Sequence, residues 1–391
     1  MWVYVWSRDA IVPSSPACGQ AVSNEDITKL RNMPKRKMDS RERTFLALEH
    51  KTGDRIPIDF WATKAVLEHL ERELGMTRAQ FLDHYDVDLR YIAGPRYIGP
   101  ELEEGADIWG VRRGAVAAGS GGQSESYSEV ISPPLSAAES VADIEKYAHW
   151  PSPDWFDYSV IEKQCEEILK KKRVVVFMGD RLNRVAQLKP AMYLLGTEKI
   201  FMDIAVRMEL VQAVFGKIKE FYLGYLERIL HAAKGKIDII LTGDDFGAQN
   251  GLLISPDMWR ASIKPGFRAY LDLIKSHKAV SMHHTCGSVV EIIPDMIECG
   301  LKILQSVQPE AKGMALADLK KKFGGKLCFQ GGISIQKTMP YGTPDDIRRE
   351  VEGIASVVKS DGGYIFCTSH NIQADTPVKN ITALMDAYLN V

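Results

Sequence analysis

Several things are missing from this chain, and each absence removes a class of protein. No apolar run reaches the ~18 residues that a bilayer-spanning helix needs. The apolar opening Met1-Trp2-Val3-Tyr4-Val5-Trp6 is too short and lacks the basic stretch of a signal peptide. Neither sign of charge dominates: a formal net charge of −2 over 391 residues makes no electrostatic case for nucleic acid or an anionic membrane surface. Cysteine is sparse. The six (Cys18, Cys165, Cys286, Cys299, Cys328, Cys367) are widely scattered and follow no short secreted spacing, which points to a reducing cytoplasm with most of them as small core residues. No glycine-rich phosphate loop follows an early strand, as an open dinucleotide-binding sheet would require.

The hydrophobic share, 45%, is enough for a large buried core, and α/β barrels commonly use this much chain as one domain. Residues 1–37 carry Pro13, Ser14, Ser15, Pro16 and the basic cluster Lys35-Arg36-Lys37 without strand or helix periodicity. They read as a disordered N-terminal extension, with Met38 the more natural beginning. Residues 38–391 read as one domain.

From Met38, Ser40 is placed to cap a helix through Phe45, Leu46 and Leu48, and Arg55 to Trp61 reads as a first strand. Val66, Leu67, Leu70 and Leu74 repeat at helical spacing up to a stop at Gly75. A short strand follows at Leu89 to Ala93. Residues 115–135, rich in Gly, Ser and Pro, form a loop long enough for a lid or a hairpin, or for a surface insertion with no catalytic part. Beyond Pro153, apolar runs alternate with helical patterns. The runs are Val174–Met178, Ile237–Leu241, Ala279–Met282, Ile303–Leu304, Leu327–Phe329 and Tyr364–Phe366. The helical patterns fill about 198–233, 288–299, 313–323 and 378–390, and Ser255-Pro256 and Thr343-Pro344 make good helix starts.

Short runs buried on both faces and alternating with helices imply a parallel sheet. Eight such units close a (β/α)8 TIM barrel, whose chemistry gathers at the C-terminal ends of the strands. Asp59, Asp180, Asp244, Asp245, His284, Cys286, Gln330 and His370 all fall there.

Among these, His284-Thr285-Cys286-Gly287 places an imidazole and a thiol on one side of an extended strand end, because side chains at i and i+2 point the same way. One more donor completes a three-ligand zinc site with an open fourth position, the catalytic arrangement. His370 is placed to face the barrel mouth; Cys367 is the softer donor but belongs to the strand proper. His283 points the other way. The plain alternative is a core histidine beside an inert buried thiol.

Asp244 and Asp245 alternate in direction, so one orients a metal-bound imidazole while the other caps the following loop. Both are taken as the catalytic candidates. Asp180, with Arg181 and Arg184, forms either a solvated ion network or a clamp for a substrate carboxylate. Asp59, Asp180, Gln249, Gln330 and Asn371 are the candidate substrate contacts.

The segments Ser40-Arg41-Glu42-Arg43 and Asp54-Arg55-Ile56-Pro57 resemble the uroporphyrinogen decarboxylase superfamily. So do the block from Ile254-Ser255-Pro256 through Cys286-Gly287, the stretch from Gly362-Gly363-Tyr364 to His370-Asn371-Ile372, and then Thr376-Pro377 and Asn380. The resemblance implies a (β/α)8 barrel. The heme-pathway decarboxylases of that superfamily hold a many-carboxylate substrate through an Arg-Gln-Ala-Gly-Arg motif, whereas the strand here reads Ile58-Asp59-Phe60-Trp61-Ala62-Thr63-Lys64, without those arginines. The superfamily's corrinoid-dependent methyltransferases bind zinc through a His-x-Cys pair and a later Cys. His284 and Cys286 match the pair, and the later position falls on His370, with Cys367 displaced by three. The resemblance therefore implies one Zn2+ per chain, a methylcorrinoid carried by a corrinoid-binding partner protein, a small-molecule methyl donor or acceptor, and a homodimer. A decarboxylase of uroporphyrinogen or a related acid, using Asp59 or another carboxylate, and a non-catalytic tetrapyrrole-binding barrel stand as the rival expectations.

Overall fold

The computed structural model describes residues 38–118, 125–179 and 184–391; the expected N-terminal arm and Asp180 and Arg181 lie outside them. Its centre is a parallel sheet of seven strands. These are β1 (Leu89–Tyr91), β2 (Val174–Phe177), β3 (Ile239–Gly243), β4 (Val280–His284), β5 (Ile303–Val307), β6 (Cys328–Gly331) and β7 (Tyr364–Ile365), and each pairs with the next in sequence order. Side chains alternate across the sheet. Val174, Val176, Ile239, Leu241 and Met282 fill the inner layer, and Val175, Phe177, Ile240, Leu304 and Phe329 pack outward under the helices. Burial on both faces is why the strands read as unbroken apolar runs.

The segment about Ile58 lies between the two edges of this sheet. Asp59 N donates to Phe366 O (2.8 Å), Phe366 N to Pro57 O (2.8 Å) and Asp88 N to Ile58 O (2.9 Å). The sheet thus curls in the manner of a TIM barrel. The expected strand from Arg55 to Trp61 forms single bridges only, Ile58 with Phe366 and Ala62 with Ile372. Pro57 accounts for part of that, since it has no N–H to give a ladder.

A buried ionic knot ties the opposite, N-terminal end of the strands. Asp88 accepts from Arg43 Nη1 (2.5 Å), Arg55 Nη1 (2.5 Å) and Ile58 N (2.7 Å). Asp54 pairs with Arg43 (2.6 Å), and Asp86 with Arg55 (2.8 Å) and Arg173 (2.5 Å). The Ser40–Arg43 and Asp54–Arg55 signatures therefore belong to the barrel's floor, far along the strands from their polar tips.

The helices follow their local signals with small corrections. Asp39 rather than Ser40 caps the first helix, Ser40–Leu48, in a box with Glu42. Gly75 ends Lys64–Leu74 in the left-handed region (φ 63°). Ser255 and Thr343 cap helices with proline in the first turn. The 198–233 pattern is two helices, Thr197–Val206 and Met208–Ala233, separated at Arg207. The 288–299 pattern shortens to Ile293–Glu298, with Pro294 in its first turn. Within 115–135 the chain forms an antiparallel hairpin, Arg112–Ala118 with Glu125–Ser132. Among the described residues, no helix is long and apolar enough to cross a membrane.

Candidate metal centre

Strand β4 runs two residues past its apolar stretch because His284 still pairs with Gly243 of β3 and Gln305 of β5. Alternation then divides the two histidines. His283 turns outward, bonds Thr242 Oγ1 through Nδ1 (2.8 Å) and stacks on Phe246 at 5.3 Å. Burial drives its pKa down to about 3, so it is a neutral core residue.

His284 turns inward to the mouth, and Cys286 follows on the same side. The chain must turn at once after that cysteine. Gly287 has φ +76°, and a β-carbon there would lie 2.5 Å from the backbone of Gly247, so only glycine fits. His370 arrives from the far side, beyond β7, although β5 and β6 separate the two strands.

The donor atoms of His284, Cys286 and His370 lie within 4.8 Å of one another. His284 Nε2 is 3.5 Å from Cys286 Sγ. Tetrahedral angles at ordinary zinc–sulfur and zinc–nitrogen lengths give about 3.5 Å for such a pair. His284 Nδ1 donates to Gln305 Oε1, which leaves Nε2 with its lone pair toward the sulfur. The residues fit a zinc ion.

The electrostatics agree with that donor set. Burial holds both imidazoles neutral, His284 well below its ordinary pKa and His370 down at about 4. Burial, and then Asp245, push the Cys286 thiol far up, so a nearby cation is what would make it a thiolate.

The adjacent carboxylates have separate duties. Asp245 accepts from Cys286 N (3.2 Å) and pairs with Lys189 Nζ; its Oδ1 is 3.7 Å from His284 Nε2. Burial opposes its charge, but the Lys189 ammonium outweighs that and holds its pKa far below the carboxylate range. Asp244 accepts from the backbone N–H groups of Gln187 (2.6 Å), Leu188 (3.0 Å) and Lys189 (2.7 Å). It therefore caps the start of the helix Leu188–Leu195, not the loop that follows it in sequence. With its oxygens so engaged and its pKa pushed up to about 6 by burial, Asp244 is built to position that helix rather than to exchange protons with a substrate.

His284, His370, Asp244, Asp245 and Lys189 line a cavity of about 310 Å³. Trp61, Trp109, Tyr193 and Tyr222 form aromatic walls, and Arg184, Lys189, Glu129, Asn371 and Gln373 supply polar ones. Trp61 stacks on His284 (5.6 Å, 26°), and the Arg184 guanidinium lies over Trp61 at 5.5 Å.

The expected substrate contacts divide accordingly. Asn371 lines the cavity. Gln249 is exposed at the tip of the turn between Gly247–Ala248 and Gly251–Leu252, away from it. Asp59 and Gln330 are buried below, bonded to each other (2.6 Å), with Asp59 also accepting from Tyr91 Oη (2.5 Å) and Phe60 N (2.8 Å). Cys367 belongs to the inner apolar layer, apart from the three donors. Gln305, Lys189 and the aromatic walls carried no expected role. Only Gln305 left a signal, as a polar residue closing the run Ile303-Leu304.

The chain belongs to the uroporphyrinogen decarboxylase (URO-D) family, whose profile matches residues 138–390. Its relatives include both activities of that family. A methylcobamide:CoM methyltransferase MtaA of Methanosarcina barkeri is 27% identical over 190 residues, 48% of this chain and 52% of that protein. A uroporphyrinogen decarboxylase of Vesicomyosocius okutanii is 35% identical over 71 residues, 18% of this chain and 20% of that one. The chain thus spans about half, or less, of the length of the curated relatives it matches. A methyltransferase structure from Methanosarcina mazei shares the fold, with a TM-score of 0.60 at 18% identity over 90% of this chain and 98% of that one.

Proposed function

We propose that this protein is a zinc-dependent methyltransferase of a corrinoid-dependent system, built on a closed (β/α)8 barrel with the Ile58 segment as its eighth strand. One observation carries the reading: the donors of His284, Cys286 and His370 converge on one point at the mouth of an aromatic-walled cavity. The methylcobamide:CoM methyltransferase among its relatives supports the same activity. Bound there, one zinc ion per chain would supply Lewis acidity to the heteroatom that gives or takes the methyl group.

The remaining work falls to the chain's own side chains. Gln305 fixes the presented nitrogen of His284. Asp245 stays ionised beside the donors, stabilised by Lys189 and anchored on Cys286 N. Trp61, Trp109 and Tyr222 exclude water and offer flat apolar faces to a small methyl-bearing molecule. Asn371 contacts that molecule from the rim. The methylcorrinoid comes on a partner protein in the cytoplasm, where the free thiol of Cys286 persists.

Asp59 does not fit the role of a decarboxylase acid, because its oxygens are spent on Tyr91, Phe60 N and Gln330 beneath the cavity. The test is methyl transfer between free cobalamin and small thiols, methylated thiols or methyl ethers, followed by the cobalamin spectrum. Transfer that disappears in Cys286→Ala supports the proposal. Metal-free conversion of uroporphyrinogen to coproporphyrinogen, without methyl transfer, overturns it.

A further inference from the structure

Strand β5 donates no ligand, yet it contacts His284, Cys286 and the residue just before His370. Ser306, buried and not glycine, has φ +78°, a left-handed conformation that strains a residue carrying a β-carbon. It interrupts the register with β6 between Gln305 and Val307, so it is a bulge. In a regular strand Gln305 and Ser306 would face opposite sides of the sheet. The bulge turns both toward the same site. Gln305 Oε1 accepts the Nδ1 proton of His284, Ser306 Oγ donates to the Ser369 carbonyl (2.5 Å) beside His370, and that hydroxyl is 3.9 Å from Cys286 Sγ.

We propose that the Gln305–Ser306 bulge is the positioning element of this centre: Gln305 selects the tautomer of His284, and Ser306 clamps the His370 segment at the reach of the Cys286 sulfur. This rests on the metal reading above for its purpose, but its geometry does not need the metal. The strained residue is retained because straightening the strand would point one of the two side chains away from the mouth.

Two readouts test it, one of which needs no zinc. In metal-free protein labelled with 15N-histidine, long-range proton–nitrogen correlation of the His284 ring should show the proton on Nδ1. Gln305→Leu should lose that bias, and Gln305→Glu, which keeps an acceptor oxygen, should restore it. In chelator competition, Gln305→Leu should bind zinc about 10- to 100-fold more weakly than wild type, with Gln305→Glu close to wild type.

Ser306→Gly separates positioning from folding. Glycine accepts φ +78° without strain, which offsets the lost hydroxyl hydrogen bond to Ser369, so the variant should unfold at a denaturant concentration close to wild type while zinc affinity falls about tenfold or more. Wild-type tautomer and zinc affinity in both Gln305→Leu and Ser306→Gly overturn the inference. So does a ring proton found on Nε2 in the wild type. A wild-type protein that binds no zinc sinks the metal reading instead, and the tautomer experiment then decides the Gln305 part alone.

Discussion

Substituting Asp88 by Asn tests whether the ionic knot at the floor holds the barrel together. The Asp88 side chain is fully buried and neutralises two guanidinium groups, Arg43 (1% exposed) and Arg55 (0%). Asn keeps the volume and can still accept from Ile58 N, so the loss is confined to charge. Removing one partner of a buried pair costs about 3–5 kcal/mol. Arg43 retains Asp54 and Arg55 retains Asp86, which places this case near 3 kcal/mol, a large share of a typical 5–15 kcal/mol total. Unfolding entropy of about 2.1 cal/mol/K per residue over a domain of this length turns that into a fall in Tm of roughly 4 °C. Guanidinium denaturation and calorimetry at pH 7 measure both quantities. Adding Arg43→Met to Asp88→Asn should recover part of the loss, since one uncompensated cation is removed. A cost below about 1 kcal/mol, or no recovery in the double variant, would refute the assignment.

Two other changes act nearer the mouth. Burial lifts the Asp59 pKa to about 6 from an unfolded value of 3.8, so its contribution to stability is full below 3.8 and is lost as pH rises through about 6. Wild type should therefore gain on Asp59→Asn by about 2 kcal/mol between pH 7 and pH 4 in urea titrations, and parallel stability–pH curves would contradict this. Asp244→Ala leaves the amides of Gln187, Leu188 and Lys189 without their acceptor and should cost about 2 kcal/mol. Zinc content should stay unchanged in that variant while methyl transfer falls as Lys189 and the helix behind it shift; lost zinc would show that Asp244 supports the donors directly.

Much of this arrangement was legible in the residues because the strands are continuous apolar runs and the donors sit just beyond them. His284 and Cys286 share a face by simple alternation, and the same rule sent His283 into the core beside Phe246. His370, not Cys367, reaches the cluster because Cys367 still belongs to the inner layer of the sheet. What could not be read depends on contacts between distant segments. The direction of Asp244 is set by three amides 55 to 57 residues earlier. Gln249 was a candidate substrate contact, but a tight turn carries it out to solvent. Local sequence also gives no sign that Ser306 adopts a positive φ, since the residue type does not demand it; the demand comes from the two segments it joins. The floor arginines Arg43 and Arg55 carried part of the family resemblance, and their partners, Asp54 and Asp88, lie on segments that the local sequence does not connect with them.

The most direct measurement is the zinc content of the purified protein and of its Cys286→Ala variant, by elemental analysis after exhaustive dialysis. One zinc per chain in the wild type, absent or nearly so in the variant, is the expected result, with methyl transfer lost alongside it. A wild-type protein free of metal, or a variant that keeps its full zinc and activity, would contradict the account.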